Sequence, residues 1–231
     1  MSKKICLINQ PVGLGDIIFC QKIGYHYMDE GYEIHWPVND IYLDDVKKYI
    51  DSPFKFYENV NDFPYGDSIF SDEFVYLKLD RNSIYNKLIM ESKYIISKVD
   101  SHNDWKDFFS INRDTEKENE LFDMMTSGED YMLVNLNYGS PPNWLRMKYE
   151  LENKKLKQVD MNFLIGYSIF DWCKIIENAS GICITDSVGA LLVEKLKPNT
   201  EDLTILSRRD DFDELKCMYD LDWNFKRGQR T

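Results

Sequence analysis

Apolar positions near the N-terminus change period twice. Lys4–Asn9 is a short apolar run with β-branched residues and predicts a strand, which Pro11-Val12-Gly13-Leu14-Gly15-Asp16 breaks. Ile17, Cys20, Gly24, Tyr27 and Met28 then recur at helical spacing until Gly31. Glu33–Val38 predicts a second strand, closed by Pro37 and Asn39-Asp40. This is a βαβ pattern, whose crossover makes the two strands parallel. Beyond it, Ile41–Ile50 predicts a short helix, Lys55–Val60 an edge strand and Glu73–Asp80 a strand of alternating pattern. Asn82–Val99 and Asp104–Met125 both read as helices, the latter with a polar centre at Asn112–Asn119.

Thr126-Ser127-Gly128-Glu129-Asp130 is small, polar and flanked by apolar blocks, so it reads as a linker. The alternation then starts again. Tyr131–Asn137 predicts a strand ending in Tyr138-Gly139-Ser140-Pro141-Pro142, which continues neither ladder nor helix. Leu156–Val159 predicts a strand, and Ile169, Trp172, Cys173 and Ile176 mark an amphipathic helix with Ser168 as its N-cap. Gly181–Thr185 predicts a short buried strand, Asp186-Ser187 a turn, and Val188, Leu191, Leu192 and Leu196 the apolar stripe of a helix stopped by Pro198. Leu203–Leu206 predicts the closing strand. The expected organisation is two β/α blocks, residues 1–127 and 128–231.

Charge narrows the functional classes. With 28 Lys+Arg against 40 Asp+Glu, the chain carries 28 − 40 = −12, which disfavours a general nucleic-acid binder or a protein held on anionic lipid. An anionic small ligand needs only a few local cations or amides and stays open. Cys6, Cys20, Cys173, Cys183 and Cys217 are scattered, with no C-x-x-C, and His26, His35 and His102 are far apart. A zinc site or disulfide framework is therefore not expected, and reduced thiols in a soluble, cytoplasmic protein are. No metal or other cofactor is expected.

Three corners carry candidate chemistry. Gly13-Leu14-Gly15-Asp16 stands at a strand-to-helix turn, where glycines let backbone approach a ligand and helix N–H groups point outward. Asp16 reads there either as an N-cap or as a functional carboxylate. G-x-G-x-x-G is incomplete, because Ile18 takes the third position, and no P-loop motif occurs. Thr185-Asp186-Ser187-Val188-Gly189 gathers hydroxyl and amide donors at a helix start, which suits a diphosphate or a plain capping turn. The loop Asn137–Trp144, with Tyr138, Arg146 and Lys148, brings cations beside a Pro/Gly turn; Trp144 is free to stack on a sugar or base. Two Asp-x-Asp triplets, Asp211-Phe212-Asp213 and Asp220-Leu221-Asp222, fall after the last expected strand, and in so acidic a chain such triplets arise readily by chance.

Together these segments resemble metal-independent GT-B glycosyltransferases, above all the heptosyltransferase-like group. That group pairs a Gly-Asp ending its first loop, here Gly15-Asp16, with a helix, a short strand and Asp-Ser/Thr, here Ile169–Ser180, Gly181–Thr185 and Asp186-Ser187. The resemblance implies an α/β protein of two Rossmann-like domains facing a cleft. The first would bind a glycan or other hydroxyl acceptor and the second a nucleoside-diphosphate sugar. It implies an inverting transfer with Asp16 as general base, ribose and diphosphate held at Asp186-Ser187, and Tyr167 flanking the base. The chain departs from the group in reading Val188-Gly189-Ala190-Leu191 where a His is usual, and in having Pro142 near the usual phosphate-binding Lys. Two alternatives follow: a non-catalytic nucleotide-sugar-binding protein of the same fold, or a Rossmann-type NAD(P) or nucleotide enzyme.

Overall fold

The computed structural model describes residues 4–58, 73–79, 89–100, 102–139, 145–151, 155–208, 212–216 and 218–230. The chain divides into two compact units, Met1–Asn112 and Arg113–Thr231.

In the first unit, β1 (Lys4–Asn9) leads through the Gly13 corner into α1 (Leu14–Phe19) and α2 (Gln21–Asp29). The single helix expected here is broken at Cys20, where φ is −87° and ψ 3°. Gly31 turns the chain out at φ 89°, a left-handed value that glycine adopts without strain. Then come β2 (Tyr32–Val38), α3 (Asp40–Tyr49), β3 (Lys55–Glu58), β4 (Phe74–Lys78) and α4 (Ile89–Ser97). The strands form one parallel sheet in the order β3-β2-β1-β4. Strand β1 lies inside it, and Ile5, Cys6, Leu7 and Ile8 are all buried, as a strand covered on both faces requires. Helix α3 starts where Asn39 Oδ1 accepts from Ile41 N, and β3 is the edge strand foreseen.

The long helix expected over Asp104–Met125 does not form. Trp105–Phe108 is a short 3₁₀ turn, and the chain then runs extended. Its backbone there is taken up by α3's end: Asp51 N donates to Ser110 O at 3.0 Å and Asn112 N to Tyr49 O at 2.8 Å. Helix α5 (Thr115–Met125) starts afresh at Asp114, whose carboxylate accepts from Lys117 N. The polar centre holds a helix start: Asp114 is the cap, and Thr115–Asn119 open the new helix.

The second unit continues with β5 (Tyr131–Asn135), β6 (Asn137–Tyr138), β7 (Leu145–Lys148), β8 (Lys157–Asp160), a 3₁₀ turn at Ile169–Trp172 and α6 (Cys173–Glu177). It closes with β9 (Gly181–Thr185), α7 (Val188–Leu196), β10 (Leu203–Ser207), α8 (Asp213–Lys216), β11 (Asn224–Arg227) and β12 (Gln229–Arg230). A second parallel sheet has the order β11-β10-β9-β5-β8. Leu203–Leu206 is therefore not the closing strand: polar β11 follows on the edge, where little burial is needed. Between β5 and β8 the connection is β6 and β7, paired antiparallel and extended by β12. Tyr138, Met147 and Leu151 from this connection pack on Met132, Val134 and Cys183 of the sheet. Ser168 caps the next turn as expected, its Oγ accepting from Phe170 N while Asp171 Oδ2 accepts from Ser168 N at 2.8 Å.

Arg113 ties α5 to α6. Its guanidinium donates to Glu118 Oε1 at 2.7 Å and to both oxygens of Glu177 at 2.6 and 2.8 Å. These bonds, to Glu118 first, push the Arg113 pKa up and keep it charged. Glu118 is 2% exposed, so Arg113→Ala leaves a buried carboxylate without its cation. Full burial would make that a loss of several kcal/mol, but Arg113 and Glu177 reach water, so we expect about 2 kcal/mol in urea unfolding.

The thiols of Cys6, Cys20 and Cys173 are buried and pushed up to about 12, mainly by desolvation. Cys217 lies outside the described residues. Among the described residues, no helix is long and apolar enough to cross a membrane.

Candidate functional site

In open parallel sheets, ligands gather beyond the carboxyl ends of the strands. In the first unit that edge carries the loop from Gln10 to Gly13. Gly13, at φ 84° and ψ 97°, occupies the N-cap position of α1, so Asp16 is not the cap. Gly15 takes a position inside the first helical turn, and Asp16 follows it. The Asp16 carboxylate folds back over Gly13: a Cβ there would stand 2.5 Å from Asp16 Oδ2. Both φ and space therefore demand glycine.

Asp16 Oδ1 lies 3.0 Å from the ammonium of Lys93 on α4. The Asp16 side chain is 32% exposed and that of Lys93 only 2%. Lys93 Nζ also donates to Leu79 O at 2.6 Å and to Gln10 Oε1. Gln10 is itself held, its Nε2 donating to Val12 O at 2.6 Å and its carbonyl accepting from Trp36 Nε1 at 3.1 Å. Asn39 N donates to Pro11 O at 2.8 Å. The carboxyl ends of β1, β2 and β4 are thus stitched around one partly exposed carboxylate. Sequence reasoning missed Lys93. The signal was a lysine on the inward face of an apolar helical stretch, flanked by Ser92 and Ser97, which are also buried.

In the second unit the carboxyl ends of β5, β9 and β10 bring together Asn137, Tyr138, Asp186, Ser187 and Arg208. Thr185 Oγ1 donates to Asn137 O at 2.7 Å. Asp186 is 4% exposed, donates its backbone N–H to Leu206 O at 3.1 Å and accepts from Arg208 Nε at 2.7 Å. The Arg208 guanidinium lies 5.7 Å from the Tyr138 ring centre. Ser187 is the N-cap of α7 in extended conformation, but its side chain makes no capping bond; its Oγ is 3.4 Å from Thr185 Oγ1. Ser187 thus caps α7 by its place in the backbone, its carbonyl accepting from Ala190 N at 3.0 Å, and not by its hydroxyl. Hydroxyl, helix N–H groups and a guanidinium converge there, a set suited to an anion. Arg208 was not anticipated, although it directly follows an apolar strand in an acidic chain.

The remaining candidates fall as follows. Gly189 is a packing residue, since a Cβ would meet Ile184 Cδ1 at 2.7 Å. Arg146 reaches Asn137 Oδ1 at 3.4 Å and Asp160 at 3.7 Å, an exposed contact worth little on its own. Lys148 is exposed on β7, paired in register with Gln229. Tyr167 lies beside α5, where Lys117 Nζ is 5.8 Å from its ring and donates to Gly166 O. Trp144 and Asp211 lie outside the described residues. Asp220 and Asp222 are exposed, and Leu221 N and Trp223 Nε1 between and beside them donate to the buried Glu194. Among the described residues, no group of three or more His, Cys, Asp or Glu is placed to hold a metal ion. A cavity of about 290 Å³ lies under Tyr149 and Leu151 against Met132, Cys183 and Thr204; none of the corner residues lines it.

The sequence matches no protein-family model and no curated protein. Solved structures do match. A glycosyl transferase family 9 structure from Veillonella parvula DSM 2008 aligns over 98% of this chain and 88% of its own, at 8% identity and a TM-score of 0.58. The iron-containing dodecameric glycosyltransferase TibC from enterotoxigenic E. coli H10407 aligns over 90% of this chain and 59% of its own, at 10% identity and a TM-score of 0.50. At such identities the likeness is one of fold: this chain is an α/β protein of two Rossmann-like units, a fold of the GT-B type.

Proposed function

We propose that the protein is an inverting glycosyltransferase of the cytoplasm, moving a sugar from a nucleoside-diphosphate donor to an acceptor hydroxyl without a metal. The observation that carries this reading is Asp16: a half-open carboxylate on the carboxyl edge of a parallel sheet, backed by a buried ammonium. As the acceptor oxygen bonds to the anomeric carbon, its proton passes to Asp16. The bond from that carbon to the diphosphate breaks, and the electron pair leaves with the phosphate oxygen. Arg208, Ser187 Oγ and the first N–H groups of α7 meet that charge, as fixed donors do in other leaving-group sites. Asn137 and Tyr138 border the same corner and would contact the donor.

A thermal-shift screen with UDP-, GDP-, ADP- and CMP-sugars, with and without EDTA, followed by transfer and hydrolysis assays, tests the reading. At least one nucleotide sugar should raise the melting temperature by several degrees at saturation, equally in EDTA, since 100 times Kd stabilises by about 2.7 kcal/mol. Donor binding with neither transfer nor hydrolysis would leave a nucleotide-sugar-binding protein. Tight NADH or NADPH binding with no response to any sugar nucleotide would replace the reading with a Rossmann-type NAD(P) enzyme.

A further inference from the structure

We propose that Lys93 is the positioning residue of the transfer reaction, fixing where the Asp16 carboxylate stands; this rests on Asp16 being the base. An ammonium has three N–H donors and no acceptor. Lys93 donates to two fixed acceptors, Leu79 O at 2.6 Å and Gln10 Oε1, which hold its charge 3.0 Å from Asp16 Oδ1 as an ion pair. At 2% exposure it is sealed from solvent, so it cannot touch a substrate and can act only through Asp16. Two of its anchors are backbone or side-chain groups just past β4 and β1, so its charge is fixed relative to the sheet rather than carried on a loose surface stem. In front, the bare Cα of Gly13 leaves room for Asp16 Oδ2. One carboxylate oxygen is therefore held from behind by charge and the other is admitted by the missing methyl group. Angular error at a reacting group is costly, and this clamp removes it.

The bland alternative is that Lys93 only ties α4 to the sheet. The two roles separate in a double-mutant cycle with the donor and acceptor that the screen identifies, using the full chain. Lys93→Met should lower kcat about tenfold or more and leave the donor KM within about twofold, the pattern of a group acting in the transition state only. In an Asp16→Asn background the same change should alter the residual rate by less than about twofold, since the carboxylate it positions is gone. Equal losses in both backgrounds, or unchanged kcat in Lys93→Met, overturn the proposal. If Lys93→Met does not fold, Lys93→Gln, which keeps amide donors and loses the charge, takes its place in the cycle. Wild-type turnover in Asp16→Asn would sink the base assignment itself, and this inference with it. A crystal structure of Lys93→Gln decides the positional point even if no turnover is found: Asp16 should swing off Gly13, and an unmoved carboxylate overturns the claim.

Discussion

Asp16→Asn should lower kcat for sugar transfer about a thousandfold, while the donor should still raise the melting temperature as in the wild type. A positioned general base contributes about 10²–10⁴ in rate, and asparagine keeps the shape but takes no proton. The donor contacts proposed above lie in the second unit, so its KM should hold. The substitution also strips the buried Lys93 of the carboxylate charge 3.0 Å away, so the protein itself should be less stable. Rates are therefore to be compared per folded molecule, at a temperature below the variant's transition. Turnover at the wild-type level would remove Asp16 from the mechanism.

Arg208→Met should weaken donor binding about 10- to 100-fold, because a charge-assisted hydrogen bond to phosphate is worth about 1.5–3 kcal/mol. The single change is ambiguous alone: it abandons Asp186, a carboxylate only 4% exposed, and will lower the melting temperature as well. The control is Asp186→Asn with Arg208→Met, which removes both charges of the pair joined at 2.7 Å. Stability should recover in the double variant and affinity for UDP, ADP or the identified donor should not. Recovery of both would make Arg208 a structural partner of Asp186 and nothing more. Arg208→Lys should fall between, since it keeps the charge but not the planar fork.

The parts of this protein that could be read from its sequence are those fixed within one βα step. Lys4–Asn9 followed by a glycine corner, and Gly181–Thr185 followed by Asp186-Ser187, announce strand, turn and helix through apolar runs and turn residues alone. Elements set by partners far along the chain were hidden. The extended segment before α5 takes its hydrogen bonds from Tyr49 and Asp51, and β12 forms only because β7 offers it an edge. Polar β11 carries no hydrophobic signal. The same holds for the site. Asp16 was visible as a residue type, but its ion-pair partner Lys93 was not, since that lysine stands 83 residues from Gln10, the other side chain it holds. Likewise Arg208 matters because Asp186 is underneath it. Residue type also misled in one place: Asp is a good cap, yet the backbone turn at Gly13 had already taken that position.

That turn bears on how remote kin of this chain could be recognised. With Gly13 as the position that must lack a side chain for Asp16 to lie where it does, the telling string is Gly-x-x-Asp, not the paired glycines that first draw the eye. Ancestry lost from the alignment as a whole would survive longest in that short word, joined to one inward-facing lysine on the helix after the fourth strand.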